Sequence, residues 1–194
     1  MTKLLILISL FGFISPSLYA GKKKVCSFAI SPENIKVTWT AFKTPKKVGV
    51  GGTFTDLKFE GPMSGNSMDE VIKSSTFLIK TDSVETKDPA RNIKIAQFFF
   101  KKMNGEASIS GKVASMDEKF INLEVTMNQK ALIVPLSYNV KGSKLSATGT
   151  LDVLDFAMDE SLKSITTACS EKHEKKTWSD VNLSLEATFK KTCK

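Results

Sequence analysis

Cys26, Cys169, Cys193 and His173 carry the most reactive chemistry in this 194-residue chain, and their spacing argues against an active site. No two cysteines form a C-x-x-C pair, so neither a zinc site nor a redox motif is indicated. A Ser–His–Asp site would have to use His173, which sits in a lysine-rich stretch with no nucleophile elbow near it. His173 is expected to be a solvent-exposed loop side chain. Asp159 and Glu160 fall on a segment that reads as a solvent-facing helix. Cys169 would need an activating base, and in an oxidising compartment a cysteine more often bridges. The chain is therefore expected to be non-enzymatic, with no metal and no cofactor. Three cysteines do support one disulfide and one remaining thiol. Cys26 opens the first mature segment and Cys193 ends the last, so antiparallel pairing of those segments would bring the two side by side. Cys26–Cys193 is the preferred bridge and Cys169–Cys193 the second.

The oxidising compartment is itself inferred from the first residues. Lys3, an apolar run from Leu4 to Ile14, the breaker Ser15-Pro16-Ser17 and a small residue at Ala20 have the order of a secretory signal peptide, and the apolar run is too short to span a bilayer. Residues 1–20 are expected to be cleaved, leaving residues 21–194 as one domain of about 174 residues. Lys22-Lys23-Lys24 stands between the cleavage point and Cys26, which disfavours a lipoprotein anchor. With Lys3 removed, 27 basic residues face 20 acidic ones, a net charge of +7. The excess is dispersed (Lys43, Lys46, Lys47, Lys101, Lys102, Lys190, Lys191) and reads as solubility and protection of strand edges. It leaves room for a peripheral contact with a membrane surface. Nucleic acid is not expected as a partner of an exported protein. The chain is expected to be a monomer or a homodimer.

Around these side chains run short alternating segments separated by Gly, Pro, Asn and Lys clusters, which predicts an all-β antiparallel domain. Residues 35–43 place Val37, Trp39 and Ala41 on one face. Strands are expected over 48–59, 75–80, 105–115, 120–127, 132–140, 145–156 and 181–192, with a turn at 61–66. Residues 68–73 read as a helical turn capped by Ser67. Residues 88–100 contain a short helix carrying Ile93, Ala96 and Phe100 at helical spacing, and 158–172 form a second helical insertion. The hairpin turn falls at Asn128-Gln129-Lys130. Glycines 49, 51 and 52 inside a strand mark a bend or a close backbone approach rather than a nucleotide loop. About eight strands is the count at which a closed barrel holds packed side chains or one small ligand.

The segment from Ser83 to Phe100 puts a large apolar load, Phe98-Phe99-Phe100, just after a charged crossing. Its elements Ser83-Val84-Glu85-Thr86, Arg91-Asn92 and the phenylalanines resemble the S-(I/V)-x-T, R-D and F-F order of the YceI family of bacterial secreted barrels. Ser27 to Asn34 is similar to the family's opening turn, and Val37-Thr38-Trp39 to the strand after it. Val50-Gly51-Gly52-Thr53-Phe54 resembles its V-x-G-x-F segment, Val125 to Leu136 its hairpin, and Gly149 to Phe156 the strand ending in an Asp-Phe pair. The chain departs from the family at Ser31, Asn34, Asn92 and Asn128-Gln129. The resemblance implies an extended, lipocalin-like antiparallel barrel, an exported and usually periplasmic location, and an amphiphilic ligand such as a polyisoprenoid, a quinone or a fatty amide. It implies no settled enzymatic activity.

On this reading Trp39, Phe54, Ile79, Phe98, Phe99, Leu123, Leu136 and Leu185 are the expected lining of an apolar interior. Arg91 either meets a ligand head group or anchors its own loop. The leading function is a secreted carrier or sequestering protein holding an isoprenoid or fatty-acyl lipid. The alternative is an interaction protein with a filled barrel, acting through its basic surface or the 158–172 insertion.

Overall fold

The computed structural model describes residues 24–194, so the expected signal peptide lies outside the described residues. In chain order the elements are β1 (Cys26–Ala29), β2 (Ile35–Lys43), β3 (Val48–Phe54), β4 (Leu57–Glu60), β5 (Ser64–Gly65), α1 (Met68–Lys73), β6 (Thr76–Lys80), β7 (Val84–Glu85) and α2 (Pro89–Phe98). There follow β8 (Ser108–Met116), β9 (Phe120–Met127), β10 (Lys130–Lys141), β11 (Lys144–Asp152), α3 (Asp159–Ala168), α4 (Ser170–His173), β12 (Thr177–Thr188) and β13 (Lys190–Cys193).

The large sheet is antiparallel, in the order β4-β6-β8-β9-β10-β11-β12-β2-β3-β7. Its two ends are joined by the chain itself, because β3 runs into β4 and β6 runs into β7. The expected continuous strand over 48–59 is broken at Thr55-Asp56, and its partner breaks opposite, at Thr81–Ser83. Ser83 pins this paired corner. Its Oγ accepts from the Asp56 backbone N–H at 3.0 Å and donates to the Lys80 carbonyl at 2.6 Å, while its own carbonyl accepts from Thr55 N–H at 3.0 Å. Counted with β3–β4 and β6–β7 as two bent strands, the wall is the eight-stranded barrel expected from the pattern.

Inward and outward positions follow the two-residue period of a strand. On β2, Ile35, Val37 and Trp39 stand opposite Ala187, Leu185 and Leu183 of β12. Gly52 lies directly across from Trp39, and a Cβ there would sit 2.3 Å from the indole Cζ2. Gly111 stands across from Phe77 in the same way, 2.5 Å from its Cζ. These are the close approaches that a glycine within a strand permits. Each lets an aromatic ring lie flat over the neighbouring backbone.

The β9–β10 hairpin closes through a two-residue turn, Met127 pairing with Lys130. Asn128 (φ 53°) and Gln129 (φ 61°) both take left-handed conformations, as a type I′ turn requires. Asn is the better tolerated of the two, and it is more than a turn residue. Its buried side chain donates to the Phe156 carbonyl at 2.8 Å and the Ala157 carbonyl at 2.9 Å, and accepts from the Asn104 backbone N–H. The departure from glycine at this point ties three loops together.

Other boundaries shift for identifiable reasons. The strand expected to reach Phe156 ends at Asp152, where the chain turns so that Val153, Phe156 and Met158 plug the interior. The last strand divides at Phe189, a buried residue whose N–H donates to Ser143 O at 2.8 Å. The turn expected over 61–66 contains β5. The small sheet β13-β1-β5 covers one end of the barrel, with Cys26 directly opposite Cys193 and the two joined as a disulfide. The pairing argued for these cysteines is present, but in this end-piece and not in the barrel wall. Helix α1 begins as expected, the Ser67 hydroxyl accepting from Glu70 N–H at 3.1 Å.

Candidate functional site

β2 runs from Ile35 at the disulfide end to Lys43 at the other, and β12 runs back from Thr177 to Thr188. Between them and the rest of the wall lies a cavity of about 460 Å³. Its floor, beneath the small sheet and α1, is formed by Ile30, Val71, Leu145, Ala187 and Phe189. Its middle is Val37, Trp39, Phe54, Ile79, Leu123, Leu136 and Leu185, and it opens towards α2, α3 and α4. A long apolar bore of this size falls in the range of small-molecule sites, about 300–1,000 Å³.

Seven of the eight expected apolar lining residues reach this cavity: Trp39, Phe54, Ile79, Phe99, Leu123, Leu136 and Leu185. Phe98 does not. It is the last residue of α2 and is 38% exposed. Phe99 caps the helix, and there the chain tightens into a 3-10 turn over Phe100–Lys102 that rotates the next two rings inward. Phe100, which was not expected in the lining, is buried there, edge-to-face with Phe54 at 5.8 Å and with Phe99 at 5.1 Å. Of the residues expected at helical spacing, Ala96 and Phe100 pack against the core but Ile93 does not. Ile93 is 56% exposed, while Arg91, Lys94 and Ile95 line the cavity.

That phase is set at the start of the helix. The Asp88 carboxylate caps α2 by accepting from the Arg91 backbone N–H at 3.1 Å, and it also takes the Arg91 guanidinium at 3.0 Å. These bonds to Arg91 hold the Asp88 carboxyl below its ordinary range. Arg91 thus anchors its own helix while standing at the cavity mouth, so both roles weighed for it have a geometric basis. Asn92 turns the other way. Its Oδ1 accepts from Thr86 N–H (2.9 Å) and Thr86 Oγ1 (2.7 Å), and its Nδ2 donates to Glu85 (3.0 Å). An aspartate here would repel Glu85, which accounts physically for the amide.

His173 departs from the expectation of a free loop side chain. It ends α4, is half-buried, lines the cavity mouth, and its Nδ1 lies 2.9 Å from Thr177 Oγ1. Burial, with the nearby charges of Lys43 and Lys94, lowers its pKa from the ordinary 6.5. The neutral ring is therefore the form the fold favours. Its contribution to stability is complete above pH 6.5 and is lost as the pH falls from there through the lowered folded value. His173→Gln is expected to flatten that part of the stability curve, read as thermal midpoint against pH. An unchanged slope below pH 6.5 would show that the ring titrates as in the unfolded chain. Cys169, the free thiol, also lines the cavity and is half-buried. The 158–172 insertion breaks at this residue into α3 and α4, so that Leu162, Ile165 and Cys169 face the bore while Asp159 and Glu160 face solvent as expected.

Trp39 has one further property. Its indole Nε1 is buried and has no hydrogen-bond partner among the described residues, although the ring lines the cavity. Buried donors are normally paired. No helix among the described residues is long and apolar enough to cross a membrane.

Comparison with known proteins agrees with this architecture. No curated protein matches the chain. Among solved structures, BcnA from Burkholderia cenocepacia superposes with a TM-score of 0.52 at 14% identity, covering 82% of this chain and 99% of its own. A polyisoprenoid binding domain from Saccharophagus degradans, implicated in plant cell wall breakdown, superposes with a TM-score of 0.52 at 11% identity, covering 87% of this chain and 99% of its own. At such identities the likeness concerns the fold. The family profile described as YceI-like domain matches residues 28–189, from the first strand to the buried Phe189 that ends the barrel wall, and the chain belongs to that family.

Proposed function

We propose that the protein is a non-enzymatic carrier or sequestering protein that holds one amphiphilic lipid, of the polyisoprenoid, quinone or fatty-acyl class, inside its barrel. The observation that carries this reading is the apolar cavity of about 460 Å³, which a chain interior packed only for stability would fill. A long hydrocarbon tail suits such a bore, since each buried methylene contributes about 0.8 kcal/mol. The cavity also weighs against the filled-barrel alternative. Location in the periplasm is part of the proposal, supported by the leader-like order of residues 1–20 and by the Cys26–Cys193 bridge. The named binding activity of the Saccharophagus domain points the same way.

Native mass spectrometry of protein purified from cells tests the reading. A co-purifying lipid mass, or uptake of a prenyl or acyl probe, is the expected result. A persistently empty protein that takes up no probe would overturn it. Trp39→Ala should weaken probe binding about tenfold, through lost aromatic contact and loss of the unpaired indole donor. Unchanged affinity would remove Trp39 from the ligand's path.

A further inference from the structure

The mouth of the cavity has a charge pattern that the apolar bore does not explain. Lys43 from the end of β2, Arg91 and Lys94 from α2, and Lys172 from α4 all line it, and among the described residues Asp88 is the one carboxylate lining the cavity with them. Asp88 is engaged by Arg91 at 3.0 Å. Among the described residues, Lys43, Lys94 and Lys172 have no carboxylate within ion-pair distance, although other lysines of the chain do, such as Lys47 with Asp180 at 2.8 Å and Lys112 with Glu124 at 3.2 Å. Lys43 and Lys94 are moreover half-buried, while Lys172 is exposed beside them. Like charges brought to one opening from separate elements repel unless something compensates them. An anion at the mouth would do so.

We infer that the ligand is an acidic amphiphile, with a carboxylate or phosphate head held by Lys43, Lys94 and Lys172 at the cavity mouth and its hydrocarbon tail in the bore. This rests on the lipid-binding reading and narrows it, since neutral quinones and amides lack the charge that these lysines select. Lysine suits the task as a mobile point charge that adapts to either head group. His173 lies beside the cluster and Asp88 opposes it.

Titration calorimetry at neutral pH with dodecanoate, dodecyl phosphate and 1-dodecanol, which share one tail, provides the test. The two acids are expected to bind about tenfold to a hundredfold more tightly than the alcohol, the gain of a charge-assisted hydrogen bond. The preference should shrink as salt is raised. In the combined Lys43→Gln, Lys94→Gln, Lys172→Gln variant it should collapse towards equality, and in the corresponding Lys→Arg variant it should persist. Inorganic phosphate alone should not displace dodecyl phosphate at micromolar concentration. Equal affinity for acid and alcohol, or a preference that survives the glutamine variant, overturns the inference and leaves lipid binding standing. Displacement by free phosphate overturns it by making the cluster a site for a free anion. If neither acid nor alcohol binds, the lipid-binding reading fails along with it.

Discussion

Exchanging Cys26 and Cys193 for serine is expected to lower stability by about 2–5 kcal/mol, the usual loss for a native disulfide. The two residues are 167 positions apart, so their bridge closes nearly the whole described chain. In the chain-entropy account, closing a loop of about 100 residues removes close to 4.7 kcal/mol from the unfolded state, and the term grows slowly beyond that. For a chain of this size each kcal/mol moves the thermal midpoint by about 2–4 °C, so a drop of about 4–20 °C is anticipated. The bridge also fastens β1 to β13, and these two strands with β5 back the floor residues Ile30 and Phe189. Serine substitution should therefore loosen the floor before the wall, visible as faster amide exchange in residues 26–30 and 189–193. Identical melting of the oxidised protein and the serine variant would mean that the bridge contributes nothing to the folded state's advantage.

Asn128→Ala is expected to cost about 4 kcal/mol. The substitution strands the carbonyls of Phe156 and Ala157 and the N–H of Asn104, each in a buried or half-buried place where a lost partner costs about 1 kcal/mol or more. It also forces alanine into a left-handed turn, at about 1 kcal/mol. Asn128→Gly separates the two effects, because glycine accepts the turn but makes none of the bonds. Chemical denaturation should rank wild type above Asn128→Gly and Asn128→Gly above Asn128→Ala. A glycine variant as stable as wild type would show that the turn conformation alone matters and that water replaces the side chain.

These two cases also show what the residues disclose by themselves. The strand alternation of β2, the helix cap at Ser67 and the meeting of Cys26 with Cys193 are local patterns or simple consequences of antiparallel pairing, and they were legible. The choice among three adjacent phenylalanines was not, because it depends on the residue at which α2 stops. Asp88 sets the helix phase through its bonds to Arg91, and the tightening at Phe99 then sends Phe98 outward and Phe100 inward. The same phase carries Lys94 to the cavity and Ile93 to solvent, against their hydropathy. The gathering of Lys43, Lys94 and Lys172 was out of reach for a different reason. Each sits in an ordinary basic stretch, and only the curl of the sheet, with α2 and α4 laid over its open end, makes neighbours of residues so far apart in the chain.

The covalently fastened floor opposite that open end has a consequence for traffic. A barrel open at both ends is a tube, through which cargo passes from a donor on one side to an acceptor on the other. With β1, β5 and β13 across one end, this barrel is a cup. On the carrier reading proposed above, cargo would be poured in and out over the same rim, tail first on loading and head first on release. A donor and an acceptor would then compete for one surface and take turns, and the rim formed by α2 and α4 is where such a handover would be negotiated.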